Sequence, residues 1–354
     1  MDESINEAAY ETGNEAGLPA GEAPGQPQRP SALRHVFIGR DGLRAGWSLL
    51  IFIAILAALL VGANAIEHKL HLLPPRPAKG APERPFTATF TIFVELIPFL
   101  LTVLATWIMS RIERRSNSVY GLGGPHKLSL FLKGLVWGVV CLSLFVTILW
   151  KAGFLAFDER LLFGSAVLHY GLLWLLAFLV VALLEEYLTR GYLLYTLTRG
   201  LAGIYRFAFN TRHSAAMGFW TAAILLSIVF GLGHGSNPGE SPIGLLSAGL
   251  ASLVFCFSLW RTGSLWWAIG FHAAWDWAQS FLYGVADSGT MAAHRLLSTH
   301  PVGKPLLSGG TTGPEGSVFV LLILAVIVAL ILLTLPRSVY GTSTPPREVS
   351  DGRS

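Results

Sequence analysis

Apolar residues fall into eight long runs along the chain, at 46–66, 87–109, 129–150, 169–190, 214–234, 242–260, 264–284 and 317–335. Each is close to the ~20 residues that cross roughly 30 Å of hydrocarbon. Lipid offers backbone N–H and C=O groups no outside partner, so such runs are helices. The pattern predicts an all-α, polytopic membrane protein with about eight transmembrane helices. Helices 1–3 occupy 46–150, helices 4–7 occupy 169–284, and helix 8 occupies 317–335. The flanks are polar. Residues 1–45 open with six acids (Asp2, Glu3, Glu7, Glu11, Glu15, Glu22) against Arg29, among Gly, Ala, Pro and Gln. They read as a disordered cytoplasmic tail, without the basic-then-apolar order of a signal peptide. Residues 336–354 read as a second flexible cytoplasmic tail. No internal repeat is evident, so an inverted-repeat transporter gains no support.

Composition agrees with this picture. Only 13% of the 354 residues are charged, about half the roughly 25% of soluble domains. Apolar residues make up 53%, and the mean hydropathy is +0.56. A soluble globular enzyme, a disordered chain and a secreted disulfide scaffold are excluded. Cys141 and Cys256 each lie inside an apolar run and read as small core hydrophobes. A net charge of +4 does not suggest nucleic acid. The placement of basic residues is more informative. With the N-terminus inside, inner segments carry 16 Lys and Arg (Arg29, Arg34, Arg40, Arg44, Arg111, Arg114, Arg115, Lys127, Arg190, Arg199, Arg206, Arg212, Arg261, Arg337, Arg347, Arg353) and outer loops 8. By the positive-inside rule both termini are cytoplasmic, in a plasma (inner) membrane.

Ionisable groups within spans are costly and are read first as functional. Inside the eight runs these are Glu95, Lys133, Glu185, Glu186, Arg190 and Asp276, with His234 and His272. Most fall in runs four, five and seven. On helix 4, Glu186 and Arg190 are four residues apart and share a face, about 40° from each other. Glu185 points about 140° away from Arg190. Arg190 can therefore neutralise and orient Glu186, while Glu185 faces elsewhere with its carboxylate free, the condition for a general base. Run five ends in Phe230-Gly-Leu-Gly-His234-Gly-Ser-Asn-Pro238, where glycines permit close backbone approach. On helix 7, His272 and Asp276 share a face, and Ala273 and Ala274 permit tight helix contact. Read singly, each motif also fits a structural role: a salt bridge at a helix end, an interfacial histidine, a His–Asp pair joining two helices.

Glu185-Glu186-x-x-x-Arg190, Phe230-x-x-x-His234 and His272-x-x-x-Asp276, in that order on successive helices, resemble the CAAX protease and bacteriocin-processing (Abi) family of intramembrane endopeptidases, of the type II CAAX prenyl endopeptidase kind. The resemblance covers roughly residues 170–285. It implies peptide hydrolysis in or near the membrane, with the catalytic cluster on helices 4, 5 and 7. Glu185 and His234 would hold and deprotonate a water. His272 and the residue at Asp276 would stabilise the oxyanion, and Glu186 and Arg190 would be the structural pair. Many members of the family carry Asn where this chain has Asp276. An ionised carboxylate repels an oxyanion, so Asp276 is either protonated or orients and charges His272, and the second is favoured. Glu185, His234 and His272 could supply three ligands of a catalytic zinc; there is no His-Glu-x-x-His, so a zincin-type site is not supported, and the residues leave both a zinc-dependent and a metal-free mechanism open. The implied partners are a peptide or protein substrate, lipid-modified or membrane-anchored, and the membrane lipids. The rival readings are a non-proteolytic scaffold or immunity-type protein of the same fold and an ion-coupled transporter.

One expectation concerns depth. With helix 5 running outward from residue 214, His234 lies about 30 Å along it, while Glu185 sits nearer the cytoplasmic side. Convergence requires helix 4 to continue through Gly191–Leu197 and helix 5 to start deep or tilt, or the Gly-rich stretch to fold back into a water-filled cavity. Glu95 either lines that cavity or caps a polar contact. Lys133 snorkels to the surface, and the Arg111–Arg115 cluster is a topology anchor. Trp47, Trp150 and Trp260 read as interfacial belt. Gly263-Ser264 lacks the full Gly-x-Ser-Gly of rhomboid-type serine proteases.

Overall fold

The computed structural model describes residues 36–39, 42–71 and 86–336. Most of both expected tails lies outside the described residues, as do nine of the Lys and Arg used for orientation (Arg29, Arg34, Arg40, Arg76, Lys79, Arg84, Arg337, Arg347 and Arg353). Six described helices are long and apolar enough to cross a membrane. After a short antiparallel hairpin of β1 (Ile38–Gly39) and β2 (Gly42–Leu43) come α1 (Ala45–Leu70), α2 (Ala88–Glu113) and α3 (Lys127–Lys151). Strand β3 (Leu155–Arg160) leads into α4 (Ser165–Glu185), which continues without a break through a wide-wound stretch (Glu186–Leu193) into α5 (Leu194–Phe209). Then follow α6 (Ser214–Gly233), α7 (Pro242–Thr262), α8 (Trp266–Trp277), β4 (Leu297–Pro301), the single turn α9 (Pro305–Ser308) and α10 (Val320–Thr334).

Three runs differ from expectation. Run four is part of one helix of 45 residues, Ser165–Phe209. At 1.5 Å per residue that is about twice the hydrocarbon thickness. Run seven gives α8 and one further wide turn to Leu282, and run eight only the 15 residues of α10. The reason for run seven is burial in protein. Trp267, Ala268, Ile269, Gly270, Phe271, Ala273 and Ala274 are all shielded, and an apolar sequence scan cannot distinguish a helix facing protein from one facing lipid.

Helix α8 packs most tightly on α3, and glycine makes this possible. A Cβ at Gly134 or Gly138 would collide with the backbone of Trp267 or Phe271, and one at Gly270 with the Phe131 carbonyl. Small residues that let backbones meet are the usual means of helix association where lipid removes the hydrophobic drive. Around this pair Phe145, Leu149, Trp267, Phe271, Ile323 and Ile327 form one core, which also joins α10. By contrast, only 6% of the most apolar window of α1 is buried among the described residues, so α1 stands at the outside of the bundle.

The connections at one end of the bundle build a roof. Strand β3 pairs antiparallel with β4, Leu155 opposite Pro301, and Phe86 bridges Ala292. The hydroxyls of Thr311 and Thr312 donate to the Gly239 carbonyl at 2.9 and 3.1 Å. Gly289 has φ 83°, and a Cβ there would overlap the Pro238 carbonyl. The segment after α8 is thereby pinned over the ends of α6 and α7.

Candidate active site

Helices α5 and α6 form an antiparallel pair whose register sets the site. Gly218 abuts Ala202, and twelve residues along each helix the Arg190 guanidinium lies 4.7 Å from the centre of the Phe230 ring. One turn beyond, that register reaches Glu185 and His234. The continuation of helix 4 through Gly191–Leu197 therefore resolves the depth difficulty: counted from the α5–α6 connection, the two residues stand at similar height. The wide winding from Glu186 to Leu193 is of the kind frequent at functional sites. Within it the Thr189 hydroxyl bonds back to the Glu185 carbonyl, a contact that tends to bend helices.

Glu186 is fully buried, and one of its oxygens holds two partners. Oε1 accepts a short hydrogen bond from Arg190 Nη1 and another, at 3.0 Å, from His272 Nδ1. The expected Glu186–Arg190 pair is present, and it does more than brace helix 4, because it also orients the imidazole on α8. Arg190 in turn joins three helices. Its Nε donates to the Ser252 carbonyl on α7 at 3.3 Å, and its guanidinium lies near the rings of Phe230 on α6 and Phe255 on α7. Glu186 Oε2 and Arg190 Nη2 make no hydrogen bond among the described residues.

His272 stands at the centre of the acids. Its Nε2 is 3.3 Å from Asp276 Oδ2 and 3.8 Å from Glu185 Oε2. With Nδ1 on Glu186 and Nε2 facing two carboxylates, both ring nitrogens are placed to donate. Glu185 is the open member: its side chain is 31% exposed, against 0% for Glu186. His234 begins the short turn that ends α6, and its Nδ1 contacts the Phe230 carbonyl at 2.8 Å. A carbonyl only accepts, so Nδ1 carries the proton and a neutral ring presents a bare Nε2.

Glu185, His234, His272 and Asp276 line one cavity of about 300 Å³. Glu95 lines it too, the first of the two alternatives open to it in the sequence. Aromatic and aliphatic walls come from Phe86, Phe178, Phe255, Trp275, Leu324 and Ile327. Three polar wall residues carried no sequence signal, because they belong to loops that fold back: Asp287, Ser288 and Glu315. Trp275 Nε1 donates to Glu315 at 2.9 Å, and the Ser280 hydroxyl donates to Asp287 at 3.0 Å. Burial, with Asp276 beside it, holds the Asp287 carboxyl well above the usual carboxylate range.

Among the described residues no three His, Cys, Asp or Glu side chains form a group able to hold a metal ion. Glu185, His234 and His272 share the cavity without converging into such a group. The arrangement does not fit a three-ligand zinc.

No curated protein and no solved structure matches the chain significantly. Residues 167–278, which span α4 to the end of α8, match the family model described as type II CAAX prenyl endopeptidase Rce1-like. The matched segment carries all six motif residues, so the resemblance read from their order is borne out. At the level of that family, the activity indicated is that of a CAAX-protease-type intramembrane endopeptidase.

Proposed function

We propose that this integral membrane protein hydrolyses a peptide bond at the wall of the cavity between α4, α6 and α8, with water activated by Glu185 and His234. The observation that carries the reading is the convergence of these two residues, from different helices, on a cavity that His272 and Asp276 also line. In this reading a water sits between the Glu185 carboxylate and the bare Nε2 of His234. Glu185 takes its proton as the oxygen attacks the scissile carbonyl. His272 offers an N–H to the developing oxyanion, held in place through Nδ1 by Glu186. Asp276, four residues on, orients and charges His272 rather than binding the oxyanion itself.

The substrate is a membrane-anchored or lipid-modified peptide whose apolar part rests on the aromatic and aliphatic walls, and no nucleic acid takes part. The membrane is the plasma (inner) membrane, with both termini cytoplasmic. No step uses a metal.

The test is cleavage of a panel of lipid-anchored, quenched-fluorescence peptides by the purified protein in liposomes. Wild type is expected to cut at least one peptide, with or without a chelator, and Glu185→Ala and His234→Ala to cut none. Hydrolysis surviving both substitutions would overturn the assignment. Loss of wild-type activity on chelation, restored by zinc alone, would overturn the metal-independent mechanism. A wild type that cuts nothing would leave the fold as a scaffold.

A further inference from the structure

Peptide hydrolysis needs two proton transfers, and the reading above, on which this inference rests, accounts for only the first. The leaving amine nitrogen must gain a proton as the C–N bond breaks. Neither histidine of the matched segment is placed to give it. His234 uses its Nδ1 proton on the Phe230 carbonyl, and His272 has its two nitrogens against Glu186, Asp276 and Glu185.

Glu95 lies outside residues 167–278, on α2, and reaches the same cavity. Thr91, one helical turn earlier, lines it as well, so this face of α2 is turned inward. Its neighbours Phe93, Val94, Leu96 and Ile97 are exposed on the lipid-facing side. Among the described residues Glu95 makes no hydrogen bond and no ion pair, and the charge acting on it is that of Glu185. A carboxyl kept at this depth without a counter-ion is costly and has no structural partner to explain it. Pro98, one turn later, leaves the Val94 carbonyl without its helical donor and loosens the helix beside the cavity.

We propose that Glu95 is the general acid that protonates the leaving amine. The carboxyls facing one confined cavity do not all ionise readily; Glu185 has the His272 ring 3.8 Å away and Glu95 has no ion pair among the described residues, so Glu95 enters the cycle with a proton while Glu185 enters without one. Water adds to the carbonyl carbon and its proton passes to Glu185. The C–N bond then breaks, the electron pair goes to nitrogen, and nitrogen takes the Glu95 proton. The products are a carboxylic acid and an amine. Glu185 now carries the proton that Glu95 has lost, and its return across cavity water restores both groups.

The test compares Glu95→Gln, Glu95→Asp and wild type on the best-cut peptide of the lipid-anchored panel and on its ester analogue with a phenolate leaving group, which departs without protonation. The Gln variant is expected to lose about 100-fold in kcat on the amide with KM unchanged, and to cut the ester within a few-fold of wild type. Its kcat profile should lose the alkaline limb expected of wild type, and Glu95→Asp should recover part of the amide rate. Amide cleavage by Glu95→Gln at the wild-type rate would overturn the inference. So would equal losses on amide and ester, which mark a structural role. In either case a Glu185→Ala variant that stays inactive leaves the proposed hydrolysis standing. A wild type that cuts neither substrate would overturn that hydrolysis and this inference together.

Discussion

Two glutamates in this protein are equally withdrawn from solvent and do different work. Glu113, the last residue of α2, has a side chain 1% exposed and is ion-paired with Arg199 at 3.1 Å and Arg115 at 3.7 Å. Glu186 is 0% exposed and ion-paired with Arg190. Each also has a buried second oxygen without a hydrogen bond among the described residues. The difference lies in the next contact. Arg199 continues to the Ser48 hydroxyl at 2.9 Å and ties α1, α2 and α5 together. Glu186 continues to His272, whose other nitrogen faces Glu185 and Asp276 at a cavity. A buried charge pair in a membrane bundle is thus not a sign of function by itself. It becomes one where it orients a group that can move a proton and that water or substrate can reach.

The comparison breaks or sharpens under substitution. The largest effect is expected at Glu185: Glu185→Gln should reduce turnover by about 1000-fold with little change in thermal stability, since it removes a general base and leaves the buried Glu186–Arg190 pair in place. Next come the two pairs themselves. Glu186→Ala and Glu113→Ala each leave an arginine uncompensated, and each should lower unfolding free energy by about 3–5 kcal/mol in detergent denaturation. Only Glu186→Ala should also lower the kcat of the folded fraction, and equal kcat losses in both would erase the distinction. A smaller effect is expected at the α3–α8 contact. Gly138→Ala places a methyl against the Phe271 carbonyl and should cost about 1–3 kcal/mol, read as a lower melting temperature. The smallest is expected at Glu315→Gln, which keeps an acceptor for Trp275 but removes one wall charge. It should change KM a few-fold and leave stability within about 0.5 kcal/mol.

Much of this was legible in the sequence because the bilayer simplifies it. The apolar runs marked every long helix, and the order of the Glu-Glu, His and His–Asp motifs marked α4, α6 and α8 as neighbours in one site. The spacing of Glu186 and Arg190 predicted their pairing. Three features were not legible, each for a physical reason. Glu113 sits beyond the apolar part of its run and reads as a loop charge, since only tertiary packing buries it. The contact of Glu186 with His272 joins residues 86 positions apart and depends on the α3–α8 approach that places His272. Asp287, Ser288 and Glu315 lie in polar connecting sequence, and hydropathy says nothing of a loop that returns to roof a cavity. The shortness of α8 has the converse origin, because its residues are apolar to meet protein and not lipid.

The central claim, that reactivity follows access to the cavity and not burial of charge, is tested most directly by one paired measurement. Glu185→Gln and Glu113→Gln are reconstituted in liposomes, and peptide turnover is normalised to the folded fraction of each. The account predicts turnover near wild type for Glu113→Gln and a loss of about 1000-fold for Glu185→Gln. Equal losses in the two variants, or undiminished turnover in Glu185→Gln, would contradict it.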